Sequence, residues 1–140
     1  MSSRREQILA RIVTALAGTS GVSTRIYRSR VEPLARGEMP ALVVEPVSDT
    51  PQQTTLATLD WTLVARVSVL VRGAVPDQVA DSTVKDVHSK IMADTTLNGY
   101  AIDILPGPVS FDMVEADQPA GVIGMDFEIR YRTNLGSISG

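Results

Sequence analysis

Apolar residues fall at two different spacings along this chain, and the switches between them mark out its elements. Ile8, Leu9, Ile12, Val13 and Leu16 recur at helical spacing behind Ser3-Arg4-Arg5-Glu6, a capping box in which hydroxyl and carboxylate each satisfy a first-turn amide. Gly18 suits the stop, so the spacing predicts an amphipathic helix over residues 4–17. A short strand is expected at Arg25–Arg30. The segment Val31–Pro40 follows, with two prolines and a glycine, and cannot sustain a helix or a central strand. Ala41–Val47 reads as a strand, and Ser48–Gln53 as a polar turn or hairpin tip.

The clearest signal lies in residues 55–72. Leu59, Trp61, Leu63, Ala65, Val67, Val69 and Val71 hold every odd position, against Asp60, Thr62, Val64, Arg66, Ser68, Leu70 and Arg72. Period two sustained this long is a strand with one buried face, and it requires Trp61 to point inward. Val79, Thr83, Val84, Val87, His88 and Ile91 then predict a second amphipathic helix over 77–93. Asn98-Gly99 is a turn signal. Tyr100–Leu105 is expected as a strand ended by Pro106-Gly107-Pro108, and Val109, Phe111 and Met113 as the next one. After a turn at Asp117–Gly121, Ile123, Met125, Phe127, Ile129 and Tyr131 alternate with Gly124, Asp126, Glu128, Arg130 and Arg132 in a second long one-sided strand. The order α-β-β-β-α-β-β-β predicts the α+β class. Short turns favour antiparallel pairing, giving a mainly antiparallel sheet of five to six strands with both helices on one face.

A length of 140 residues allows a single domain, placed at 1–133, with 31–40 as a projecting arm or loop and 134–140 as a flexible C-terminal tail. Cysteine is absent, which excludes disulfides, thiolate metal sites and cysteine nucleophiles, and fits synthesis in a reducing compartment. No apolar run reaches the roughly 18–20 residues that span a bilayer, so no membrane partner is expected. The formal charge of −3 disfavours a broad DNA-neutralising surface. It hides an asymmetry. Residues 1–40 hold seven arginines and three glutamates, net +4, while the remainder holds six basic and 13 acidic residues, net −7. A basic end joined to an acidic body suits head-to-tail contacts between copies.

Candidate chemistry is sparse. One histidine, His88, and no cysteine cannot build a nitrogen or sulfur metal site. Gly18-Thr19-Ser20-Gly21 lacks the lysine and spacing of a phosphate loop. Glu115 with Asp117, and Asp126 with Glu128, are same-face strand neighbours, whereas acid–base pairs need opposed carboxylates in unequal surroundings. No catalytic residue, cofactor or metal is expected, and the class that survives is a non-enzymatic binding or assembly protein. Two surfaces are the candidates for contacts. One is the arm and its approach, with Arg28, Arg30, Leu34, Arg36, Glu38 and Met39. The other is the polar sheet face, with Arg66, Asp126, Glu128, Arg130 and Arg132 turned toward a lumen or a neighbour.

Ile26-Tyr27-Arg28-Ser29-Arg30 leads through Pro33-Leu34-Ala35-Arg36-Gly37-Glu38 to Pro40-Ala41-Leu42-Val43-Val44. With Val71-Arg72-Gly73, Met92-Ala93-Asp94-Thr95-Thr96-Leu97, Asp117-Gln118-Pro119-Ala120-Gly121 and Tyr131-Arg132-Thr133, this pattern and order resembles the tail terminator, or tail-completion, proteins of long-tailed bacteriophages. The resemblance covers nearly the whole chain and contains no catalytic motif. It implies an α+β subunit of a homo-oligomeric ring, a hexamer, that caps the tail tube, stops its polymerisation and joins the neck and head. The implied partners are further copies of itself, the tail tube protein and neck or head-completion proteins, with DNA only passing through the lumen. The implied location is the head-proximal end of the virion tail, reached from the host cytoplasm. A neck or head-completion connector, and a small α+β ligand-binding domain, are the alternatives.

Overall fold

The computed structural model describes residues 3–22, 24–29, 40–73, 75–114 and 120–138. Their order is α1 (Arg4–Ala15), β1 (Ile26–Arg28), β2 (Ala41–Gln53), β3 (Thr58–Arg72), α2 (Pro76–Met92), β4 (Asp103–Val114) and β5 (Ala120–Asn134). The fold is α+β, and its five strands lie in the order β1-β2-β3-β5-β4. All neighbours pair antiparallel except β1 and β2, which run parallel. Both helices pack on one face, α1 over β1 and β2, and α2 over β3, β5 and β4.

Helix α1 starts at the expected cap, where the Ser3 hydroxyl accepts the Glu6 amide at 3.2 Å. The reciprocal half of the capping box is not made. Arg28 takes both Glu6 oxygens at 2.9 and 3.0 Å, because a bidentate guanidinium outcompetes a backbone amide for a carboxylate. One capping arm thereby ties α1 to the β1 edge instead. Ile8, Leu9 and Ile12 of this helix are buried. Gly18 follows at φ 81°, the left-handed turn that a helix stop asks of glycine.

The long alternating strand keeps its register. Leu63, Ala65, Val67, Val69 and Val71 are fully buried beneath the helices, opposite Ile129, Phe127, Met125, Ile123 and Gly121 of β5. Trp61 is half-buried on the same side, stacked on Tyr131 with centroids 6.0 Å apart, and its indole N–H donates to Thr133 Oγ1 at 2.9 Å.

Three boundaries differ from expectation. Strand β2 does not end at Val47 but continues through Ser48–Gln53, paired with Leu59–Val64 of β3, so the hairpin tip is Thr54–Ala57. This stretch lacks apolar alternation, and all of it but Asp49 is exposed. Strand β1 pairs only with Leu42–Val44. Beyond that point β2 is an edge, where Pro46 and Pro51 cost no ladder bond on their open side. The two strands expected around Pro106-Gly107-Pro108 are one strand, β4, with a register shift between Pro106 and Val109. The prolines make a bulge rather than a break: a Cβ on Gly107 would lie 3.0 Å from the Asp126 carbonyl oxygen, so this backbone crosses close to β5. Residues 134–138, expected in a flexible tail, carry backbone hydrogen bonds. Leu135 donates to Ala57 at 2.8 Å, and the Arg4 amide donates to Ile138 at 2.7 Å.

Candidate functional site

The polar sheet face opposite the helices is built by the even-numbered residues of β3 and β5. Here the cross-strand register sets the chemistry. Arg66 stands directly opposite Asp126, Arg132 opposite Asp60, and Arg130 opposite Asp103. Each pair is a two-pronged salt bridge. Arg66 donates at 2.7 and 3.2 Å, Arg132 at 2.6 and 3.3 Å, and Arg130 through Nε at 2.9 Å with its second nitrogen also bonded. Gly124 makes room for the first of these, since a Cβ there would sit 3.3 Å from Arg66 Cδ and 2.8 Å from Ser110 Oγ. Four of the five residues expected on this face are therefore bonded within the subunit, and Glu128 is exposed outside the described ion pairs. The face is not wet throughout: Val43 and Ser68 on it are buried.

These bridges shift the titration of their members. The hydrogen bond from Arg132 holds the Asp60 carboxyl below its ordinary range, that from Arg130 does the same to Asp103, and that from Arg28 to Glu6. Depressed folded-state values mean that the stabilisation is complete above roughly pH 5 and is lost as pH falls through the lowered values. The sites are open to water, so each contribution is small. The double variant Asp60→Asn, Asp103→Asn is expected to be slightly less stable than the parent at neutral pH, with the gap closing in acid. Urea melts across pH 7 to pH 2 check this, and a gap that persists in acid would assign the loss to something other than charge.

Of the first expected surface, Arg28 lies on β1 and is engaged by Glu6. Arg30, Leu34, Arg36, Glu38 and Met39, with the arm they belong to, lie outside the described residues.

Two features had no counterpart in the sequence reading. At one end of the sheet, Asp49 projects under the helices with its side chain only 6% exposed. It accepts the Tyr131 hydroxyl and, at 3.2 Å, Arg5 of α1. Burial, and then the Asp49 carboxylate, push the Tyr131 phenol well above its usual range, so it remains a protonated donor. At the other end, the second half of β4 carries Val109, Phe111 and Met113 on the helix side, yet all three are exposed, Phe111 by 63%. Helix α2 lies mainly over β3 and β5, and its first turn reaches only as far as Gly121 and Met113. Apolar alternation predicts burial, but among the described residues no helix covers this outer edge.

Among the described residues, no group of three His, Cys, Asp or Glu side chains is placed to hold a metal ion, and no helix is long and apolar enough to cross a membrane. A shallow surface depression of about 350 Å³ lies between α1 and the Asn98–Tyr100 turn, lined by Gln7, Arg11, Thr14 and Tyr100 among others. His88 is exposed on α2, with its ring 6.5 Å from that of Phe127.

No protein-family model and no curated protein matches the chain. Among solved structures, it is similar to a chain of the virion of a native gene transfer agent (GTA) particle. The two share 18% sequence identity at a TM-score of 0.58, over 94% of this chain and 92% of that one. At this identity the likeness establishes the shared fold.

Proposed function

We propose that this chain is a structural protein of a phage-like virion and, within it, the tail terminator: a ring subunit that caps the tail tube and provides the joint to the neck. The observation that carries the reading is end-to-end agreement with a virion component. Nearly the whole of both chains superposes, so the likeness is not confined to a common substructure. The sequence resemblance to tail terminators runs over the same span. Among the described residues the exposed features are strand edges, paired charges and an apolar strip rather than a deep pocket with convergent polar groups, which favours assembly over catalysis.

The action is steric. A ring seated on the last tube ring occupies the surface that the next one would use, and elongation stops. The polar sheet face suits a lumen wall, because Arg66, Arg130 and Arg132 are engaged by their own aspartates. An arginine held this way gives DNA phosphates little to grip, and DNA passes without being retained.

The test is to add the purified protein to growing tail tubes and measure their lengths by electron microscopy. Tubes that stop, with density at one end only, are expected. Unchanged tube lengths with binding to a portal or neck ring instead would replace this role with that of a connector.

A further inference from the structure

We infer that the outer half of β4, Val109–Val114, together with the start of α2, is the surface on which a second copy of this chain docks through its β1 edge. This deepens the ring reading proposed above and rests on it.

Strand β4 is an edge of the sheet, and its two halves differ. The Pro106-Gly107-Pro108 bulge removes two amides and blunts the first half against pairing. Residues 109–114 contain no proline and alternate Val109, Phe111 and Met113 with Ser110 and Asp112. An open edge with exposed apolar side chains is a hazard that soluble proteins normally suppress, so its presence calls for a cover. At the start of α2, Pro76 comes close to Gly121 beside Met113, and Val75 and Val79 are exposed.

Charge identifies the cover. The segment 75–114, which builds this side of the molecule, holds six aspartates and two lysines, net −4. The segment 3–29, which builds α1 and the opposite edge strand β1, holds five arginines and Glu6, net +4. Within the subunit, Arg28 is engaged by Glu6, Arg5 by Asp49, Arg11 by Asp94 and Asp103 by Arg130. The charges left over still differ in sign between the two edges, which lie at opposite ends of the sheet. Around the strip, Asp77, Asp81 and Asp112 enter none of the described ion pairs. At the far edge, among the described residues, the Arg25 guanidinium donates to the carbonyls of Pro40 and Gly21, at 2.8 and 3.0 Å, and to no carboxylate. Opposite charges on opposite edges make a heterologous, head-to-tail contact. Strand β1 is three residues long, a length that the short unblunted part of β4 accommodates. Pairing there keeps the helix side on one face, so Phe111 would meet Ile26 and the flank of the neighbour's α1.

The chain has no cysteine, so single cysteines report contacts cleanly. Phe111→Cys and Arg28→Cys are prepared separately, mixed and oxidised. Phe111 is exposed, whereas Arg28 is half-buried and bonded to Glu6, so circular dichroism verifies that each variant folds. A disulfide dimer containing one of each variant is expected to dominate over either self-dimer, and to fade as salt is raised. In light scattering, Phe111→Arg is expected to lose the higher-mass species of the parent protein while keeping its circular dichroism spectrum. Dominant Phe111→Cys self-dimers would mean that two β4 edges meet, and would overturn the head-to-tail contact. So would the absence of any cross-link from a protein that stays monomeric. If the mixed dimer forms but tubes grow unchecked, the docking surface stands and only the terminator role falls.

Discussion

Replacing Phe127 by alanine is expected to destabilise the protein by about 3–5 kcal/mol, the range for emptying a buried aromatic site. Phe127 is 2% exposed, sits between Ala65 of β3 and Pro106 of β4, and supports α2 through the His88 ring. The site cannot collapse, since β5 is held on both sides by long ladders and α2 is anchored at its ends. Phe111, the other phenylalanine, gives the control. At 63% exposure its alanine variant is expected to fall within about 0.5 kcal/mol of the parent in urea melts. Equal losses from the two substitutions would mean that the β4 edge is part of the core, and would remove the docking surface.

The second large effect is expected at Asp49. Converting it to alanine leaves the Tyr131 hydroxyl, on a residue only 2% exposed, without its acceptor, and such a buried group costs about 1–3 kcal/mol. Arg5 suffers less, because its side chain is 43% exposed and water replaces the partner. Tyr131→Phe is expected to be costly too, since Asp49 Oδ1 already lacks a hydrogen bond and Oδ2 would then rest on Arg5 alone. The double variant should therefore cost clearly less than the sum of the two single ones, because neither half is left stranded. A double-mutant cycle by urea denaturation measures this. Simple additivity would show that the contact carries no coupling.

Much of the fold was legible because period is a local property. Both helices fall within two residues of where their spacing placed them, and the alternation in β3 and β5 put every odd residue on the correct face. What escaped depends on distant neighbours. Glu6 reads as half of a capping box until Arg28, 22 residues on, claims it. The three arginine–aspartate bridges need a register between strands far apart in sequence, so alternating charges read only as a polar face. Ser48–Gln53 reads as a turn because strand residues whose side chains mostly stay in water need no apolar pattern. Phe111 and Met113 show the converse: period two gives the side on which a residue points, whereas burial depends on how far a helix extends over the sheet.

The position of β5 has one more consequence. It is the last of the described strands in sequence but lies between β3 and β4 in the sheet, joined to β3 from Thr58↔Asn134 to Arg72↔Ala120. A nascent chain therefore carries β3 and β4 with no strand between them until residue 134 has left the ribosome. Closing such non-local pairs is slow, and the order of synthesis makes it slower. The same delay acts as a checkpoint. The outer half of β4 gains its register from β5, so a chain still lacking β5 has no ordered docking edge to offer and cannot join an assembly before that strand is made.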